Sequence, residues 1–279
     1  VSGTIASVES WSGKDRGDEN FPVGSALIAK RLRKHVHAFY LFARNADDIA
    51  DSDVLEPADK IARLDVMEAV LLGQRDDGSP SGSLLRASLA ESGVTPLHAR
   101  ELLIAFRRDA EKNRYADWDE LQDYCRYSAM PVGRHVLDLH GESRETWAPS
   151  DALCTSLQVL NHLQDCAKDF FQLDRCYLPD DRLAAHGSGT LDLHKHGLTP
   201  GLRRVLDELL DRCDALNAQA IDLPRRTHDR RLRLETAVIV NLARRLAARL
   251  RRDDPLAARV KLSRPDAIFS ILAALRFLP

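Results

Sequence analysis

The sequence predicts an all-α fold. Apolar residues recur at helical spacing almost throughout, strand-like alternation is hard to find, and the segments between turn-rich breaks run about 15 to 28 residues. The first helix is expected where Leu27, Ile28, Leu32, Val36, Phe39, Tyr40 and Phe42 share a face, and a second where Ile61, Leu64, Val66 and Val70 do. Breaks fall at GQRDDGSPSG (73–82), SGVTP (92–96), GESRETWAPS (141–150) and HGSGTLDLHKHGLTP (186–200), each rich in turn formers. Helix starts are signalled at Thr95-Pro96, at Pro149 with Ser150 and Asp151, and at Thr199-Pro200. No fixed period repeats, which argues against a solenoid. Composition does not shift at any break, so residues 19–279 are expected to form one domain behind a polar, frayed tail, residues 1–18.

The chain has 279 residues, enough to bury roughly 75% of the surface of its unfolded form. Its 40 Lys+Arg and 42 Asp+Glu nearly balance, so no global charge draws it to nucleic acid or membrane. Cys125, Cys154, Cys166, Cys176 and Cys213 form no C-x-x-C pair and read as buried, reduced thiols of a cytoplasmic protein. The start lacks the basic and apolar regions of a signal peptide, and the longest apolar stretch, IFSILAALRFL, is about half of a membrane span.

The chemistry sits in two acidic clusters. In ARNADDIADSD, Asp47 and Asp51 share a helix face with Asp48 beside them, and Asp53 follows as a loop cap. Like charges at this spacing destabilise an isolated helix by about 0.2–0.5 kcal/mol per pair. In LQVLNHLQDCAKDFF, Asn161, Asp165 and Asp169 form a polar stripe at i, i+4 and i+8 on an otherwise apolar helix. Mg²⁺ favours one or two carboxylates together with phosphate oxygens, so two such helices across a bundle would suit a metal-bridged diphosphate over an apolar cavity.

Four ordered segments, YLFARNADDIADSD, YCRYSAMPVGRHVL, LQVLNHLQDCAKDF and DRCYLPDDRL, resemble the squalene and phytoene synthase family of prenyl synthases. The likeness runs from about Asn20 to Leu183, with a weaker match at DPLAARVKLSRP. ENFPVGS (19–25) and SAMPVGR (128–134) look most like the bacterial, hopanoid-pathway branch of that family. The resemblance implies a single-domain isoprenoid-synthase-type helical bundle around a central cavity. It implies Mg²⁺ and diphosphate binding by Asp47, Asp48, Asp51, Asp165 and Asp169, with Tyr40, Arg44, Asn161 and Arg175 at the substrate. Tyr124, Ser128 and Tyr177 become candidate catalytic residues, and Ala129 and Gly133 candidate contacts of the prenyl chain. Pro131 and Gly133 inside a helical run also predict a kink or opened turn.

The implied reaction ionises presqualene diphosphate, rearranges the cation in a dry cavity and captures it with water to give hydroxysqualene; joining two prenyl diphosphates into presqualene diphosphate or phytoene is the alternative. The expected partner is a small prenyl diphosphate, with a functional link to other squalene-pathway enzymes and no nucleic acid. The basic runs PRRTHDRRLR and ARRLAARLRR read as solvated helix faces, Leu242, Leu246 and Leu250 giving the second an apolar stripe. With IFSILAALRFL they also suggest peripheral contact with the inner face of an anionic membrane. Arg259, Lys261 and Arg264 are candidates to close over the diphosphate. His162 and Cys166 have zinc-like spacing but no second pair, so zinc is not expected.

Overall fold

A computed structural model describes residues 7–9 and 28–277. Among these residues there is no strand. The α-helices are α1 (Arg33–Ala50), α2 (Pro57–Leu71), α3 (Pro80–Ser92), α4 (Leu97–Asp109), α5 (Trp118–Ser128), α6 (Met130–Leu139), α7 (Trp147–Leu173), α8 (Asp180–Ala185), α9 (Pro200–Ala220), α10 (Asp222–Arg226), α11 (Arg230–Arg252) and α12 (Arg264–Ala274). The chain divides into two compact units, Val1–Lys112 with Arg134–Gly141, and Asn113–Gly133 with Glu142–Pro279.

In the first unit α1 packs against α2, α3 and α4. Phe39, Phe42, Ala46 and Ile49 follow one another at helical spacing and bury against Leu64, Met67, Leu85 and Leu103. α3 starts with Ser79 accepting from the Gly82 N–H at 2.9 Å and Pro80 in the first turn, and ends at Gly93 in the left-handed region, φ 73°. Residues 7–9 of the expected polar tail are among the described residues. The Glu9 carboxylate accepts from Ser79 Oγ (2.5 Å), Ser81 Oγ (2.7 Å) and the Ser81 N–H (3.0 Å), an anion seated at a helix N-terminus. Leu27 and the ENFPVGS motif lie outside the described residues.

In the second unit the 27-residue α7 packs against α9, α11 and α5, and α11 also carries α12. Leu160, Leu163, Leu206, Leu210, Leu246 and Leu250 are buried in its core. α9 begins as expected, Thr199 Oγ1 accepting from the Leu202 N–H at 3.1 Å with Pro200 in the first turn. α7 begins at Trp147, earlier than the Pro149 signal.

The expected break is present at Ala129, whose φ −122° and ψ −49° end α5 before the chain re-enters a helix at Met130. Pro131 then stands in the first turn of α6, where its missing N–H removes no helical bond. A Cβ on Gly133 would lie 2.5 Å from Ser150 Oγ and 2.7 Å from Cys154 Sγ, so the glycine permits close approach to α7. Four of the five cysteines are buried and Cys154 is half-buried, all as free thiols. Burial pushes the Cys166 and Cys213 thiols up to about 12 and keeps them protonated.

Candidate active site

The first acidic motif occupies the last turn of α1. Arg44 forks between Asp47 (Nη1 to Oδ2, 2.9 Å) and Asp48 (Nη2 to Oδ1, 2.6 Å). Asp51 caps the helix, its N–H donating to the Asp47 carbonyl at 2.8 Å. Carboxylates at a helix C-terminus oppose the macrodipole. Arg44 and Lys60, whose Nζ donates to the Ala50 carbonyl at 2.9 Å, offset part of that penalty. The Asp48 side chain is almost fully buried, whereas a third of Asp47 is open to solvent. Burial first, and the Asp51 carboxylate second, push the Asp47 carboxyl up to about 8; Arg44 opposes the shift, and Asp109 and Asp48 add to it. Tyr40 lies one turn before Arg44 with its hydroxyl buried. Asp53 is exposed beyond the helix.

The second motif lies within α7, where Asn161, Asp165 and Asp169 are each half-buried. Arg259 donates to both oxygens of Asp165, at 2.6 and 2.7 Å. The neighbouring Val260 carbonyl accepts from Gln164 Nε2 at 2.5 Å, so the segment after α11 is fastened to α7 at two adjacent positions. Lys261 and Arg264 are exposed.

α7 ends at Asp174 in the left-handed region, φ 50°, an uncommon conformation for a non-glycine residue. Arg114 holds it by donating to the Asp174 carbonyl and to its Oδ1. Beyond it, Cys176 N–H donates to Asn113 O (2.9 Å), Asp180 N–H to Tyr115 O (2.9 Å) and Asp181 N–H to Ala116 O (3.0 Å). This pairing buries Arg175 and Tyr177, and Arg175 Nη1 donates to the Tyr177 hydroxyl at 3.4 Å. Tyr177 stacks on His162 with ring centroids 3.4 Å apart and planes 14° apart. Tyr115 and Tyr124 complete the aromatic group, 5.4 and 5.6 Å from Tyr177. Burial, with Arg175 nearby, lowers His162 to about 3 and keeps it neutral. Near the helix break, Ala129 is buried and the Ser128 hydroxyl is enclosed without a hydrogen-bond partner.

Each unit therefore assembles part of the expected set. The first brings together Tyr40, Arg44, Asp47, Asp48 and Asp51, and the second holds Tyr124, Ser128, Ala129, Gly133, Asn161, Asp165, Asp169, Arg175 and Tyr177. Among the described residues no three His, Cys, Asp or Glu side chains are arranged to hold a metal ion by themselves. Sequence reasoning passed over Asp109 and Tyr115 and left the role of Arg259 open. No local pattern marks Asp109 or Tyr115, although the match around Arg259 was a signal for that residue.

The squalene/phytoene synthase model matches residues 14–266, and the chain belongs to that family. It is an enzyme acting on a prenyl diphosphate. The chain is 48% identical to the hydroxysqualene synthase of Rhodopseudomonas palustris over 264 residues, 95% of this chain and 90% of that one. Phytoene synthase of Mycobacterium tuberculosis is 32% identical over 201 residues, 69% of this chain and 66% of its own. Among solved structures, the squalene synthase HpnC of Alicyclobacillus acidocaldarius superposes with a TM-score of 0.74 at 32% identity, covering 85% of this chain and 90% of that one. The family match extends beyond Leu183 to cover α9 and α11 and the segment that carries Arg259.

Proposed function

We propose that this chain converts presqualene diphosphate and water into hydroxysqualene and diphosphate, with Mg²⁺, in squalene and hopanoid biosynthesis. The observation that carries this reading is that each acidic motif is held by an arginine, Arg44 on Asp47 and Asp48, and Arg259 on Asp165. Carboxylates already paired with a cation can exchange it for a metal ion, while the released guanidinium meets the diphosphate that arrives with the metal. Similarity to a hydroxysqualene synthase over nearly the whole chain supports the choice of reaction.

The donors suit Mg²⁺: hard carboxylate oxygens, few in each motif, leaving positions for phosphate and water. In the first motif Asp47, Asp48 and Asp51 would hold the metal, and in the second Asp165 and Asp169 would. Bound there, the ion supplies charge stabilisation to the departing diphosphate. Arg44 and Tyr40 of the first unit, and Arg175, Arg259 and Asn161 of the second, would each add donors to phosphate oxygens. Tyr115, Tyr124 and Tyr177 offer ring faces to a carbocation, and Ala129 leaves room for the prenyl chain. Purified protein should be given Mg²⁺ without NADPH and either presqualene diphosphate or farnesyl diphosphate. Hydroxysqualene from presqualene diphosphate is the expected result; product from farnesyl diphosphate alone overturns it in favour of head-to-head condensation.

The same reading places the enzyme in the cytoplasm with a peripheral membrane contact through α12. Ile268, Ile271, Leu272 and Leu275 are each about half exposed along one face. The only acid of α12, Asp266, turns inward to Arg249 (2.7 Å) and Arg245 (3.5 Å), leaving Lys261, Arg264 and Arg276 exposed. An apolar stripe rimmed by cations complements an anionic lipid surface, and both substrate and product are lipids. Flotation with anionic vesicles at low salt should carry the protein, and Leu272→Glu should leave it behind. Binding unchanged by that substitution removes α12 as the contact.

A further inference from the structure

His162 is the polar member of the aromatic group in the second unit. Its side chain is 9% exposed, and its Nε2 is enclosed without a hydrogen-bond partner. A buried imidazole nitrogen left unsatisfied is unfavourable, and such groups call for a partner that comes and goes. Stacking fixes the plane of the ring. Tyr177 stacks on its face, and Nδ1 looks toward Asp169 Oδ2 at 4.0 Å. A neutral imidazole that carries its N–H on Nδ1 leaves a lone pair on the enclosed Nε2. Tyr124 lies 6.2 Å from the same ring, so the lone pair sits within an otherwise aromatic group.

Building on the reaction proposed above, we propose that His162 Nε2 holds and aims the water that captures the rearranged carbocation, which makes His162 the residue that selects an alcohol product. The balance closes without oxidant or reductant. The C–O bond to diphosphate breaks and the bond pair leaves with the diphosphate; after rearrangement, a lone pair of the water oxygen forms the new C–O bond. One water proton passes to Nε2, and the other stays on the product hydroxyl. Nothing in the spacing of His162 and Cys166 as a zinc pair signals this role; it follows from the stack and the unsatisfied nitrogen.

The test uses the full chain with Mg²⁺ and presqualene diphosphate, following diphosphate release and product identity separately. His162→Phe keeps a ring against Tyr177 and removes Nε2. Its product should shift from hydroxysqualene to dehydrosqualene-type hydrocarbons, the alcohol-to-hydrocarbon ratio falling about tenfold or more while diphosphate release changes little. His162→Gln, which restores an acceptor, should recover part of the alcohol. Should the Phe variant fail to fold by circular dichroism, His162→Met carries the same expectation. An unchanged alcohol share in a folded Phe or Met variant overturns the assignment. Wild-type protein that makes no hydroxysqualene at all defeats the reaction reading itself, so the two failures are distinguishable.

Discussion

The two acidic motifs solve the same charge problem in opposite ways. At the end of α1 the compensating Arg44 lies on the same helix, three and four residues before Asp47 and Asp48. In α7 the compensating Arg259 comes from 94 residues further along the chain. The first arrangement is local and crowded: burial first, then the Asp51, Asp109 and Asp48 carboxylates, raise the affinity of Asp47 for a proton against the opposing Arg44. The second is sparser, with Asp165 paired one to one. The crowded cluster holds a carboxyl whose proton must give way when an external cation arrives, whereas a carboxylate paired with a distant arginine is compensated by folding itself.

The largest consequence is shared by both regions. Asp47→Ala and Asp165→Ala should each lower turnover by about a thousandfold or more, with helicity by circular dichroism unchanged. Activity retained by either variant removes that motif from the reaction. The next effect separates them. Below about pH 8 the folded, metal-free chain must release a proton from Asp47 before a metal ion binds there. Magnesium affinity should therefore climb up to about tenfold per pH unit below pH 8 and level off above it. Calorimetric titration from pH 6 to 9 reads this slope, and Asp47→Asn should flatten it.

Stability gives a smaller contrast of the same origin. The unfolded chain ionises Asp47 near pH 3.8 and the folded, metal-free chain near 8. Between those values the folded state binds more protons, so stability falls as pH rises through the window and stays low above it. Asp47→Asn removes the penalty and should stabilise the metal-free protein by about 1–2 kcal/mol at pH 8.5, reduced by the solvent that reaches the side chain, with the gain shrinking toward pH 4. Urea unfolding at the two pH values measures it. A variant both dead and more stable is the signature of a strained functional site.

What could be read from the sequence follows the same division. The helical class, the i, i+4 placement of Asp47 with Asp51 and of Asp165 with Asp169, and the break before Pro131 rest on contacts within about one turn, which periodicity and residue type encode directly. Arg259 on Asp165, Asp109 near Asp47 and Glu9 on the start of α3 depend on tertiary packing between distant segments. No pattern around residue 9 announces a partner at residue 81. Gly133 shows an intermediate case: a glycine in a helical run signals that something comes close, and only the packing identifies Ser150 and Cys154 as what does. His162 shows how spacing misdirects, since its i, i+4 relation to Cys166 suggests a ligand pair while Cys166 is a buried, protonated thiol.

The smallest effect isolates the distant arginine. The Arg259 side chain is 39% exposed and that of Asp165 is 18% exposed, so their bidentate pair is worth no more than about 1 kcal/mol. In metal-free protein the same pair competes with Mg²⁺ for Asp165. Arg259→Ala should therefore tighten magnesium binding by about fivefold in the absence of substrate, by calorimetry, while unfolding stability drops by less than about 1 kcal/mol. With prenyl diphosphate present the sign should reverse, because the variant lacks a guanidinium for the phosphate oxygens and KM should rise. Arg44→Ala should not show that reversal: it strips the crowded end of α1 of its own counter-ion, raises the proton affinity of Asp47 further and weakens magnesium binding with or without substrate at neutral pH. If the two arginine variants behave alike, the local and distant solutions are energetically equivalent and the contrast between the motifs fails.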